Sequence, residues 1–110
     1  MNIVLLIGRL VSDVEIKELP NKVSAAYITL AVRRDFKNSN GEYETDFIPV
    51  TLWEGLAQSI SEYCHKGTLV SLKGRLAMYK KEMPDGRFFS YTDIIGEKVM
   101  VLSQPLEKAD

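Results

Sequence analysis

Two strand-like segments carry aromatic or basic side chains on the face opposite their aliphatic residues, and these are the side chains of this chain best suited to bind a ligand. In residues 46–53 every second side chain is aliphatic, which predicts a core face and leaves Phe47 and Trp53 on the opposite face. In residues 68–81 the face opposite the aliphatic side chains carries cations and a ring, namely Lys73, Arg75, Tyr79 and Lys81. Flat rings beside cations suit single-stranded nucleic acid, whose bases stack and whose phosphates are anionic.

This surface predicts binding without sequence preference. Every base has a π-face, so stacking on Phe, Tyr or Trp tolerates any sequence and contributes about 1–3 kcal/mol per base. A duplex hides its base faces, which favours single strands as the ligand. The pattern alone leaves a second interpretation open, in which Phe47, Trp53 and Tyr79 are covered by a partner protein.

Catalytic and metal chemistry find little support in the sequence. The carboxylates recur at no fixed spacing, and the seven glycines form neither a phosphate-binding motif nor a nucleophile motif. Cys64 and His65 are the only cysteine and the only histidine, too few for a four-ligand zinc site. We therefore expect a protein that is not an enzyme and needs no cofactor or metal. Cys64 is predicted to be a buried thiol beside an exposed imidazole.

The composition predicts one globular domain. The chain has 110 residues, of which 45% are hydrophobic and 26% charged, with a net charge of -1. Without a global basic surface, nucleic-acid binding must come from local placement of cations. No apolar run approaches the roughly 20 residues that span a bilayer, so we expect no membrane association. The apolar run at residues 3–7 is too short for a signal peptide, which predicts a cytoplasmic location.

Hydrophobic periodicity predicts an all-β fold with one helix. Strand patterns occupy residues 2–10, 23–34, 46–53, 68–81 and 87–102, and helical spacing occupies residues 55–65. Three strands, a helix and two strands is the order of a five-stranded OB-fold barrel, with the helix between strands 3 and 4. We assign residues 1–103 to this domain and residues 104–110 to a short polar C-terminal end.

Finer expectations follow from the same pattern. Gly8 is predicted to be a bulge or a point of close backbone approach. Residues 37–44 are predicted to be a polar hairpin loop. On the fourth long strand, Val70, Leu72, Leu76 and Met78 are expected to share the core face.

Several stretches resemble the bacterial-type single-stranded DNA-binding proteins, over about residues 1–102. The order and spacing of these stretches, rather than any one of them, carry the resemblance. They are residues 2–10 (NIVLLIGRL), 26–31 (AYITLA), 47–57 (FIPVTLWEGLA), 63–67 (YCHKG) and 70–76 (VSLKGRL). The resemblance implies an OB fold that binds and protects single-stranded DNA in replication, recombination or repair, without catalysis and in association with the nucleoid.

The resemblance also implies site residues. The stacking aromatics of the family correspond to Phe36, Phe47 and Trp53, and the strand pattern adds Tyr79. The residues expected near phosphate are cationic and lie close to strand ends or on the aromatic face: Arg9, Arg33, Arg34, Lys73, Arg75, Lys80 and Lys81.

The resemblance predicts self-association as well. A homotetramer is expected, with the apolar first strand as a subunit contact. A primosome-like OB adaptor, which would be a dimer, and a protein-interaction module that does not bind DNA remain alternatives. The family's long linker and acidic tail have no counterpart in residues 104–110, so partners recruited through such a tail are not expected.

Overall fold

The computed structural model describes residues 1–105, which form six strands and one helix. The elements are β1 (Val4–Leu10), β2 (Lys17–Leu19), β3 (Val23–Lys37), β4 (Tyr43–Trp53), α1 (Glu54–Tyr63), β5 (Leu69–Glu82) and β6 (Phe88–Ser103). A single 3₁₀ turn, Pro20–Lys22, joins β2 to β3.

Five of the strands close into a barrel. The hydrogen-bonded order is β1-β5-β6-β4-β3-β2, and β1 also pairs with β3 through Arg9 and Leu10. β4 meets β6 in a parallel contact at Thr51 and Ile95. This confirms the predicted OB-fold barrel. The short edge strand β2 was not counted in the prediction, so the helix lies between β4 and β5, at the expected place in the chain.

Alternate side chains of the strands fill the barrel. Leu30, Leu52 and Leu72 are fully buried at its centre, and they come from β3, β4 and β5. The helix adds Ala57 and Ile60 to this core. α1 ends at Tyr63, two residues earlier than predicted.

Cys64, which directly follows the helix, belongs to the same core. It is 1% exposed, which confirms the predicted buried thiol, and burial raises the pKa of that thiol. The side chain of Gln104 makes two hydrogen bonds to the segment around Cys64. It accepts from the Thr68 hydroxyl and donates to the Tyr63 carbonyl oxygen. Gln104 is thus bonded to the domain, and residues 106–110 of the predicted polar end lie outside the described residues.

The core ends earlier along β5 than the pattern predicted. Leu76 and Met78 lie on the same face of β5 as the buried Leu72, yet they are 46% and 67% exposed. The reason is that β5 and β6 continue beyond the barrel as a two-stranded hairpin, paired as far as Glu82 and Phe88. No second layer covers that hairpin within residues 1–105, so the prediction that these two residues are core was wrong.

The connection between β3 and β4 is shorter than predicted. β3 ends at Lys37 and β4 begins at Tyr43, which leaves a turn of five residues rather than the predicted eight. The Asn38 side chain holds this turn because its oxygen accepts from the backbone N–H groups of Asn40 and Glu42.

Gly8 lies where β1 crosses β3 to close the barrel. A Cβ atom at this position would lie 2.6 Å from the carbonyl oxygen of Ala31. The predicted close backbone approach is therefore confirmed, and a side chain here would force the two strands apart.

We expect Gly8→Ala to lower the free energy of unfolding by about 1–3 kcal/mol, the usual cost of overpacking. Gly55→Ala is the matched control, because a Cβ atom there meets no atom within 4 Å and lies in a helix. The control should stabilise the protein by about 0.5–1 kcal/mol. Urea unfolding of both variants measures the difference, and equal stability would contradict the close approach.

Candidate nucleic-acid interface

A groove with aromatic walls runs between the outer face of the barrel and the β5–β6 hairpin. We call it the aromatic groove. Its lining comprises Tyr27 from β3, Pro49, Val50, Thr51 and Trp53 from β4, Tyr79 from β5, and Tyr91, Thr92 and Asp93 from β6.

The barrel side of the groove follows from strand alternation. Phe47, Thr51 and Trp53 project from the outer face of β4 because Val50 and Leu52 point into the core. Tyr27 is paired with Thr51 across β3 and β4, so its ring lies on the same face. Phe47 is 66% exposed and Trp53 is 37% exposed, which is unusual for such large apolar side chains.

The hairpin side is a ladder of stacked rings. Tyr79 and Tyr91 are directly paired across β5 and β6, with ring centroids 5.5 Å apart and an interplanar angle of 27°. Phe89 continues the ladder at 6.3 Å from Tyr91. Such cross-strand aromatic pairs stabilise a hairpin that has no core beneath it.

Sequence reasoning found Tyr79 but missed Tyr91 and Phe89. The available signal was the alternation of Phe89, Tyr91 and Asp93 on one face of the last strand. Placing that face beside Tyr79 requires the register of the hairpin, which the pattern within one strand does not contain.

The four predicted stacking residues are thus only partly brought together. Trp53 and Tyr79 line the aromatic groove, and Phe47 lies farther along the same face of β4. Phe36 is 64% exposed near the end of β3, outside the groove lining.

Arg9 and Arg33 lie beside Phe47. They line one shallow concavity together with Ala31, the residue directly paired with Phe47. Nη1 of Arg9 donates to the Gly67 carbonyl oxygen at 2.9 Å, which orients the guanidinium. Asp35 lines the same concavity, but none of the ion pairs formed among residues 1–105 includes Arg9. The guanidinium carbon of Arg33 lies 3.9 Å above the centre of the Tyr43 ring.

Arg34 lies on the opposite face of β3 and is engaged by two carboxylates. Its guanidinium donates to Asp46 at 2.9 and 3.0 Å and to Glu44 at 2.6 Å. The hydrogen bond from Arg34 is the main cause that lowers the pKa of Asp46 below its usual value. Since these partners compensate its charge, we leave Arg34 out of the phosphate contacts that the sequence predicted.

The other predicted cations divide between two faces. Arg75 and Lys81 share the face of β5 that carries Tyr79, whereas Lys80 points to the other face of the hairpin. Lys73 is paired with Leu5 on β1 and with Lys98 on β6, away from the groove. The structure therefore does not place Lys73 and Lys80 at the groove.

Two further findings concern the described residues alone. Within residues 1–105, no three His, Cys, Asp or Glu side chains are grouped so that they could hold a metal ion. In the same range, no helix has the length and apolar character needed to cross a membrane.

The barrel and its outer face define an OB-fold protein with an aromatic and basic sheet surface. Residues 1–102 match the single-strand binding protein family, and the chain belongs to that family.

Relatives of known name cover most of the chain. The chain is 38% identical to single-stranded DNA-binding protein 1 of Streptococcus pyogenes, over 94% of this chain and 80% of the relative. It is 37% identical to single-stranded DNA-binding protein B of Bacillus subtilis, over 98% of this chain and 96% of the relative. It is 40% identical to the single-stranded DNA-binding protein of Bacillus cereus, over 93% of this chain but only 60% of that longer relative.

Proposed function

We propose that this protein binds single-stranded DNA without sequence preference, with bases stacked in the aromatic groove. The observation that carries the proposal is the groove itself, which is lined both by Trp53 and by the stacked pair of Tyr79 and Tyr91. Membership of the single-strand binding protein family supports it and confirms a binding protein rather than an enzyme. The same membership favours DNA binding over the protein-interaction module.

The proposed path of the strand follows the outer face. Bases stack on Trp53 and the Tyr79–Tyr91 pair and continue towards Phe47, where each stack contributes about 1–3 kcal/mol. Phosphates meet Arg9 and Arg33 beside Phe47, and Arg75 and Lys81 on the hairpin. These few cations suffice locally although the whole chain has a net charge of -1.

We also propose that copies of this chain associate through β1, as a homotetramer. Leu5 and Ile7 project from one face of β1 and Ile3 directly precedes the strand; they are 72%, 59% and 50% exposed, an apolar row without cover in residues 1–105. β1 pairs with β3 only at Arg9 and Leu10, so residues 4–8 also have one edge open to another strand. A dimer, as in the primosome-like alternative, would use the same row.

The cellular role follows from the ligand. Protection of single-stranded DNA during replication, recombination or repair, at the nucleoid in the cytoplasm, is the setting we infer for this activity. The relatives from Streptococcus pyogenes and Bacillus subtilis are named single-stranded DNA-binding proteins, which supports the ligand on which this setting depends.

Trp53→Ala should weaken binding of a labelled oligo-dT by about 1–3 kcal/mol, because one stacking ring is lost. Phe88→Ala is the matched control, since Phe88 is 68% exposed on the other face of the hairpin. Fluorescence anisotropy measures both affinities. In the unchanged protein, oligo-dT should also quench the fluorescence of Trp53, the only tryptophan. A large loss of thermal stability with unchanged affinity would make Trp53 a packing residue instead.

Arg33→Ala and Arg34→Ala should separate a phosphate contact from an internal ion pair. Arg33→Ala should weaken oligo-dT binding and reduce the slope of log affinity against log salt by roughly one contact. Arg34→Ala should leave that slope unchanged, because Asp46 and Glu44 already compensate the Arg34 charge. Anisotropy titrations at several salt concentrations give both slopes. A slope that Arg34→Ala reduces and Arg33→Ala leaves unchanged would contradict this assignment.

Ile7→Asp should dissociate the assembly, because it places a charge in the apolar row of β1. Light scattering coupled to size exclusion gives the mass directly. Met78→Asp is the control, as Met78 is similarly exposed but lies on the hairpin. A tetrameric mass that survives Ile7→Asp would show that the copies associate through another surface.

A further inference from the structure

Tyr43 lies beside Arg33 on the face proposed to bind DNA. It alternates with Thr45 and Phe47 along β4, and Thr45 is directly paired with Arg33 on β3. The guanidinium carbon of Arg33 lies 3.9 Å above the centre of the Tyr43 ring, and Nζ of Lys37 lies 5.7 Å from the same centre. The first distance is well within the reach of a cation–π contact and the second is near its limit, so Arg33 is the main partner of this ring.

A carboxylate is the alternative partner of Arg33. Asp35 lies two residues farther along β3 and lines the same two shallow concavities as Arg33. The ion pairs formed within residues 1–105 are those of Arg34 and Arg87, so neither Arg33 nor Asp35 takes part in one. The Arg33 guanidinium thus lies over a ring although a carboxylate shares its concavity.

The two kinds of partner use different parts of a guanidinium. Carboxylates accept from its N–H groups, as Asp46 and Glu44 do from the neighbouring Arg34 at distances between 2.6 and 3.0 Å. A ring contacts the face of the guanidinium instead and leaves the N–H groups at its edge free. These N–H groups form the fork that binds a phosphate through two hydrogen bonds. The contact with Tyr43 is therefore compatible with a phosphate contact, whereas an ion pair with Asp35 would compete with it.

We propose that Tyr43 is a positioning residue for DNA binding, whose ring holds Arg33 away from Asp35 and keeps its N–H groups free for a phosphate. This inference rests on the proposed function, in which Arg33 meets the DNA backbone beside Phe47. The ring also orders a long side chain before DNA arrives, which reduces the conformational entropy lost on binding. The role differs from base stacking, because Tyr43 acts through the charge of Arg33.

Tyr43→Leu removes the ring and keeps an apolar side chain. We expect it to weaken oligo-dT binding about two- to fivefold, the contribution of a cation–π contact at an exposed site. It should also reduce the slope of log affinity against log salt towards that of Arg33→Ala, because Asp35 then compensates the Arg33 charge. Anisotropy titrations at several salt concentrations measure both quantities.

Two further variants serve as controls. Tyr43→Phe keeps the ring that contacts Arg33 and should retain both the affinity and the salt slope. Tyr63→Leu makes the same change as Tyr43→Leu at an exposed tyrosine at the end of α1, outside the aromatic groove and the concavity of Arg33, and should also leave both quantities unchanged. A loss of affinity in Tyr43→Phe equal to that in Tyr43→Leu would overturn the inference.

A double-mutant cycle separates positioning from direct stacking. If Tyr43 acts through Arg33, Tyr43→Leu has no further effect on affinity in the Arg33→Ala background. An equal loss in both backgrounds would make Tyr43 a stacking or structural residue and overturn the inference, with the proposed function intact. Coupling of Tyr43 to Lys37→Ala rather than to Arg33→Ala would overturn it as well.

The role of Asp35 has its own test. Asp35→Asn should raise the affinity more in the Tyr43→Leu background than in the unchanged protein, because only there does the carboxylate take the Arg33 guanidinium. Equal gains would reduce Asp35 to a general charge effect and overturn the inference.

A last measurement preserves the shape of the ring and applies if Tyr43→Leu does not fold. Phenylalanines of increasing fluorination are incorporated at position 43, which weakens the negative face of the ring step by step. We expect the affinity for oligo-dT to fall in the same steps, and an affinity that stays constant across the series would overturn the inference. Failure of the unchanged protein to bind oligo-dT would overturn the proposed function and this inference together.

Discussion

Closure of the barrel at β1 is the constraint on which the rest of the structure depends. β1 pairs with β5 along most of its length and then turns onto β3, and only a residue without a side chain fits where Gly8 crosses Ala31. Once the barrel is closed, alternation assigns every residue of β3 and β4 to the core or to the outer face. Phe47 and Trp53 are outside because Val50 and Leu52 are inside, so the proposed binding face is a consequence of how the core is filled.

The other wall of the aromatic groove is stabilised differently. The β5–β6 hairpin extends past the core, and an isolated two-stranded hairpin is only marginally stable in water. Its order comes from its attachment to the barrel and from the stacked rings of Tyr79, Tyr91 and Phe89. The groove thus combines a barrel face backed by the core with a hairpin that has no core beneath it, and the same tyrosines that stabilise the hairpin line the proposed binding surface.

The limits of sequence reasoning follow from what a local pattern contains. Alternation within β4 was enough to place Phe47 and Trp53 outside the core, because period two is a property of one strand. The exposure of Leu76 and Met78 could not be predicted in this way, since the pattern does not show where the second layer ends. Tyr91 was missed because its position beside Tyr79 depends on the register of the β5–β6 hairpin, which the pattern of a single strand does not contain. That register also changes along the hairpin, since Glu97 forms a bulge in β6.

Arg33 and Arg34 illustrate the same limit for charge. Adjacent residues of a strand point to opposite faces, so Arg33 faces the proposed DNA path and Arg34 does not. The carboxylates that pair with Arg34 come from β4, a different strand. Composition and resemblance treated the two arginines alike.

The position of β6 in the barrel has a consequence for biosynthesis. β6 is the last of the six strands in residues 1–105, yet it lies between β5 and β4 and completes the cylinder. Until residues 88–103 have left the ribosome, the edges of β4 and β5 have no partner and the apolar interior is open to water. The earlier strands can pair as they emerge, but the closed domain forms only after most of the chain has been made. During that interval the nascent chain exposes strand edges that favour aggregation, so chaperone protection matters more here than for a domain built from local contacts.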